Sequence, residues 1–152
     1  MLTAGGGAGK TLSMVIHDIH AVSAVMRKEG RFLLVLRGRA PAKGLLAFPG
    51  GRVKEGETME EAVRRELLEE TGLEAGEIRH LREFVIEPEG DGPRFILHAH
   101  SAEYRGGEPR PGDDAADAGW YVVEDMRRLP ITRTTLMLAE DLLSGGSTES
   151  LP

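Results

Sequence analysis

Cysteine is absent from this chain of 152 residues, which excludes disulfides and thiolate metal sites. Positive charge is in short supply as well. With 19 Lys and Arg against 25 Asp and Glu, the formal net charge is −6, which argues against broad binding to nucleic acid or to anionic membranes, where a basic footprint is expected. No apolar run is long enough to span a bilayer, and the N-terminus lacks the charged, apolar and small-residue order of a secretory signal, so a cytoplasmic protein without membrane or nucleic-acid partners is expected. There is no internal repeat. Aromatics make up 5% of the residues, with one Trp; Trp120 reads as a core residue before it reads as a base-stacking platform.

What is present is an ordinary globular composition, 40% hydrophobic and 29% charged, of a length that suits one domain. Within it, residues 51–73 are anomalous. At 3.6 residues per turn, Glu66, Glu69 and Glu70 fall within about 100° of one another, interleaved with Met59, Ala62, Val63 and Leu67, and so are expected on the inward face of a helix. Like charges at these spacings cost roughly 0.2–0.5 kcal/mol per pair even on a solvated helix, and burial raises the cost or forces protonation. A hard divalent cation removes the conflict. Oxygen-only donors suit Mg²⁺ or Mn²⁺ better than Zn²⁺, and Mg²⁺ bound through a few carboxylates commonly completes its shell with waters and substrate phosphates. The punctuation around the helix agrees: Pro49-Gly50-Gly51 reads as a tight loop before it, Thr58 with Glu61 as a capping box, and Gly72 as the stop.

Gly51, Glu57, Arg65, Glu66, Leu67, Glu69, Glu70, Gly72 and Leu73 together match every fixed position of the signature of the Nudix hydrolases, and the chain resembles that family. The resemblance implies an α/β/α sandwich with a mixed sheet, and it implies roles. Glu66, Glu69 and Glu70 would be metal ligands, with Glu66 doubling as general base. Arg65 would orient the acids through charge-assisted hydrogen bonds, with Glu57 its partner or an outer ligand, and the carbonyl of Gly50 or Gly51 would add a further ligand. The implied reaction is attack of water on a diphosphate linkage, with divalent metal neutralising the spreading charge.

The rest of the chain reads as alternating elements, an α/β pattern. Strands are expected at Ala21–Met26 and Arg31–Arg37, joined by a hairpin turn at Lys28-Glu29-Gly30, with the apolar run Phe32–Leu36 as a central strand. Further strands are expected at Leu45–Phe48, Ile78–Glu87, Arg94–Tyr104 and Ala118–Val123, and a closing helix at Thr132–Leu143. A turn at residues 89–93 and a Gly/Pro loop at Gly106–Gly112 separate them. Residues 1–16 read as a flexible segment, 17–145 as the domain and 146–152 as a flexible tail.

Other features have a bland reading beside a sharp one. Ala4 to Thr11, with Lys10, formally satisfies a relaxed phosphate-binding loop, but no buried strand precedes it. His17 with His20, and His98 with His100, could chelate but lack a third ligand; the second pair shares one face of its strand. Arg37, Arg39 and Lys43 lead toward the Gly-Gly turn, where substrate phosphates would sit, and are otherwise solubilising loop cations. Asp113 and Asp114, or Glu87 and Glu89, could supply an additional carboxylate base, or could be solvated turn acids. Pro88, fifteen positions beyond Leu73, and Asp113-Asp114-Ala115 before Trp120 resemble segments of ADP-ribose pyrophosphatases. The resemblance therefore favours a nucleoside diphosphate linked to another group, in the first place ADP-ribose, cleaved to AMP and ribose 5-phosphate. Cleavage of nucleoside triphosphates, oxidised ones included, is the alternative, and a catalytically silent nucleotide sensor is the alternative of another class. Homodimers are common in the family, which leaves that assembly open here.

Overall fold

The computed structural model describes residues 18–40, 42–88 and 90–145. The loop around Lys10, His17, Glu89 and the tail beyond Gly145 lie outside the described residues. In chain order the elements are β1 (Asp18–Val25), β2 (Arg27–Lys28), β3 (Arg31–Arg37), β4 (Leu46–Ala47), β5 (Gly50–Arg52), α1 (Met59–Thr71), β6 (Ala75–Ile86), β7 (Arg94–Tyr104), β8 (Ala115–Tyr121), α2 (Val123–Met126) and α3 (Arg133–Ser144).

The strands form two sheets. One is mixed, in the order β5-β1-β7-β6, with β1 parallel to β7 and the other pairs antiparallel. The other is antiparallel around β3, which pairs with β2, β4 and β8. The apolar run Phe32–Val35 is buried throughout because β3 has a helix on each side. Leu33 packs with Val22, Ala24, Met26, Ala102 and the inward residues of α1, namely Ala62, Val63 and Leu67. Phe32 and Leu34 point the other way, onto Val123 and Met126 of α2 and Leu138, Ala139 and Leu142 of α3. Period-two alternation on the strands thus divides one core into two layers, and α1 is fixed over one of them. Trp120 belongs to the α1 layer.

Several boundaries differ from the sequence-based expectation. The first strand does not run on through a hairpin into β3. It ends at Val25, and only Arg27–Lys28 pairs with β3, across a two-residue turn at Glu29 (φ 52°) and Gly30 (φ 79°) whose double positive φ matches the right-handed strand twist. β1 itself belongs to the mixed sheet. The expected loop at Gly50-Gly51 is a strand, β5, and the expected strand at Leu45–Phe48 shrinks to Leu46–Ala47. Glycine is ordinarily depleted in strands, but here the pairing demands it: a Cβ on Gly50 would run into the Val22 carbonyl.

Helix α1 has the expected ends. Thr58 accepts from the Glu61 N–H at 3.0 Å, Glu61 accepts from the Thr58 N–H at 2.9 Å, and Gly72 closes the helix at φ 75° with its N–H on the Leu68 carbonyl. In urea melts, Thr58→Ala is expected to cost about 1 kcal/mol and Leu67→Ala, at full burial, about 2–5 kcal/mol.

Candidate active site

The acids of α1 are sorted by their angle around the helix. Glu66 and Glu70, one turn apart, are buried against the core side. Glu69 is exposed, which corrects the expectation that all three acids share the inward face. A step of three residues falls short of a full turn and carries Glu69 onto the flank. Opposite the buried pair stands β5. A Cβ on Gly51 would collide with the Glu66 carboxylate, and Glu70 Oε1 accepts from the Gly50 N–H at 3.1 Å. The two glycines therefore bring bare backbone against the two carboxylates.

Arg65 ties the remaining acids together. Its Nε and Nη2 donate to the two oxygens of Glu57 at 2.6 and 2.9 Å. Its Nη1 donates to Glu66 Oε2 at 3.0 Å and to Glu69 Oε1 at 3.2 Å, and Nη2 also reaches the Arg52 carbonyl at 3.0 Å. This fork uses the planar, multi-donor geometry that only Arg provides. The Arg65 hydrogen bonds hold Glu57 well below the usual carboxylate range, at about 2. The buried acids go the other way. Burial pushes Glu66 up despite Arg65, and burial together with the neighbouring charge of Glu66 pushes Glu70 up to about 8.

A second wall comes from the loop between β7 and β8. The Arg110 N–H donates to the Thr71 carbonyl at 2.8 Å and the Gly112 N–H to the Glu70 carbonyl at 3.1 Å, satisfying acceptors that the end of α1 leaves open. On its far side, the Gly38 N–H donates to the Asp114 carbonyl at 2.9 Å. Between these anchors Asp113 takes a left-handed φ of 53°, and its charge adds to the upward push on Glu66. An open pocket of about 250 Å³ lies beside it, lined by Gly38, Arg39 and residues 113–116.

The expected cations divide. Arg37, at the end of β3, exerts a downward pull on Glu70. Arg39 Nη2 pairs with Asp114 Oδ1 at 2.6 Å at the pocket wall, and Lys43 is exposed on the turn before β4. Glu87 is exposed, and its charge acts on Arg94. Asp113 is a candidate base from the sequence alone, but what holds it there, the loop backbone clipped to α1, is seen only in the structure. The available signal was Pro111-Gly112-Asp113, a turn composition immediately before a strand.

The donor set is carboxylate and carbonyl oxygen, and the cradle at Gly51 would be filled by any side chain. Both suit a hard divalent cation. Among the described residues, no three His, Asp or Glu side chains are already gathered as a metal-binding group; Glu66 and Glu69 both accept from Arg65 Nη1.

Two outcomes follow for the metal-free protein. A carboxyl whose folded pKa is raised makes a contribution that is complete below the unfolded value and is lost as pH rises through the folded value. Stability in chelator is therefore expected to fall from about pH 5 to about pH 8, and Glu70→Gln to flatten that slope, as read by thermal unfolding across pH. Arg65→Lys cannot reproduce the fork and is expected to cost about 1–3 kcal/mol in urea melts.

Comparison with known proteins agrees with this geometry. The NUDIX domain model matches residues 17–138. The ADP-ribose pyrophosphatase of Methanocaldococcus jannaschii is 38% identical over 123 residues, which cover 80% of this chain and 70% of that protein. Among solved structures, the MutT NUDIX hydrolase of Burkholderia pseudomallei superposes with a TM-score of 0.75 at 29% identity, covering 82% of this chain and 97% of that one. The NUDIX domain of Shewanella oneidensis NrtR, complexed with ADP ribose, gives a TM-score of 0.75 at 22% identity over 89% and 92% of the two chains. With Glu57, Glu66 and Glu69 gathered around Arg65 and the family's model matched over residues 17–138, this chain is a member of the Nudix hydrolase family.

Proposed function

We propose that this chain hydrolyses the diphosphate linkage of ADP-ribose to AMP and ribose 5-phosphate, in the cytoplasm and with Mg²⁺, or Mn²⁺ in its place, and that residues 17–145 form the catalytic domain. The observation that carries the reading is the pair Glu66 and Glu70, buried side by side against the bare backbone of Gly50 and Gly51. Buried acids at this spacing need a cation to ionise together. The substrate choice is supported by the likeness to the archaeal ADP-ribose pyrophosphatase.

In this reading Glu66, Glu69 and Glu70 hold the metal with a carbonyl of Gly50 or Gly51, and Glu57 stands behind them through Arg65. The metal, when bound, supplies charge neutralisation on the diphosphate and lowers the pKa of water. Glu66 takes the proton of the attacking water, and the new bond from water oxygen to phosphorus replaces the bond to the bridging oxygen, which leaves with the other phosphate. Asp113 is the second carboxylate that could accept that proton. Arg65 holds Glu66 in orientation throughout. Arg37, Arg39 and Lys43 are the cations proposed to meet the substrate phosphates.

The test is phosphatase-coupled phosphate release from ADP-ribose, other nucleoside diphosphate derivatives and nucleoside triphosphates, with Mg²⁺ and with chelator. ADP-ribose is expected to be the best substrate, chelator to abolish release, and Glu70→Gln to lower kcat by at least about 100-fold. Preferential release from nucleoside triphosphates would move the assignment to a triphosphate pyrophosphohydrolase. Nucleotide binding without any release would make the chain a sensor.

A further inference from the structure

The four histidines among the described residues stand together on one face of the mixed sheet, outside the acid site. His98 and His100, on β7, are 4% and 5% exposed. His20 lies on β1, its Nδ1 3.1 Å from His98 Nε2, with the two rings stacked at 5.3 Å between centroids. His80 lies on β6, 5.2 Å from the His100 ring and 5.9 Å from that of His98. Three strands thus each contribute imidazole to one cluster.

A bulge in β6 selects what else faces it. His80 pairs with His100 and Arg82 with Ala99, so Leu81 is the extra residue, and Glu83 comes opposite His98. Without the bulge, strict alternation would put Arg82 on the histidine face. With it, Arg82 points to the opposite face, where its Nη1 donates to Asp141 of α3 at 2.7 Å, and Glu83 Oε2 stands 3.5 Å from His98 Nδ1. That nitrogen is buried and has no hydrogen-bond partner. From the other packed elements, Glu60 of α1 acts on His100, and the Asp18–Arg94 pair closes the end of β1 and β7 at 2.9 Å.

We propose that this cluster is a proton-operated latch holding the first half of β1 onto β7 and, through it, β5 in place. The bond from His20 to His98 needs one N–H and one lone pair, so it exists only while at least one of the two rings is neutral. A doubly protonated pair has only donors, in a nest that already contains two more imidazoles. Burial, the largest effect on both His98 and His100, opposes their protonation. Folded pKa values that are depressed give a contribution that is present above the unfolded value, near 6.5, and lost below it. The strand released is the one that orders β5. The Val53 N–H donates to the His20 carbonyl at 3.0 Å, Ala21 pairs with Arg52, and Val22 with Gly51.

The experiment is amide hydrogen exchange of the whole chain at about pH 7.5 and about pH 5.5, corrected for intrinsic rates. Acid is expected to lower the protection of Ile19–Ala21 and Gly51–Val53 about tenfold more than that of Leu33–Val35 in β3, a strand of the other sheet. His98→Gln, which keeps an amide in place without titrating, is expected to remove that difference. Should His98→Gln fail to fold, His20→Gln, altered at an exposed ring, must remove it instead. An equal loss of protection across β1, β5 and β3, or a difference that survives in the variant, overturns the latch.

Discussion

Everything in the catalytic half of this molecule depends on two carboxylates pressed against peptide backbone. Glu66 and Glu70 sit on the buried side of α1, where the fold would otherwise place leucine, and the opposing strand tolerates them because Gly50 and Gly51 have no side chains. The cost of keeping ionised oxygens there is large, and Arg65 offsets part of it. That one guanidinium reaches Glu57, Glu66, Glu69 and the Arg52 carbonyl, so helix, preceding loop and β5 share a single electrostatic centre.

The arrangement explains why the two sheets are built as they are. β1 must pair with β5 on one side and β7 on the other, so it cannot also pair along its length with β3; the chain breaks at Met26 and only a two-residue ribbon continues into the second sheet. The core follows the same division. Apolar residues facing α1 form one layer and those facing α2 and α3 form the other, with β3 contributing alternate side chains to each.

Much of this was legible in the sequence because it is local. The capping box at Thr58 and Glu61, the stop at Gly72 and the acid spacing of α1 all lie within a span of a few turns. So did the double-sided burial of β3, announced by five successive apolar residues. What was not legible depends on partners far away in the chain. Gly50 and Gly51 look like loop residues until Val22 and Glu66 are seen opposite them. Nothing near Leu81 marks it as the bulged residue, because the mismatch arises only against His100 and Ala99. Glu69 was misjudged for a simpler reason: a helical arc wide enough to include three acids also includes the edge of the buried face.

The loop from Arg110 to Ala115 is fastened at both ends by main-chain hydrogen bonds, to the last carbonyls of α1 on one side and to Gly38 on the other. Such a span is indifferent to most side chains but not to its own length. One residue more or fewer would break the clip at Glu70 or the clip at Gly38. Change at this rim is therefore accommodated more readily by side chains that line the pocket without anchoring the loop, such as Ala116, than by a change in the length of the span.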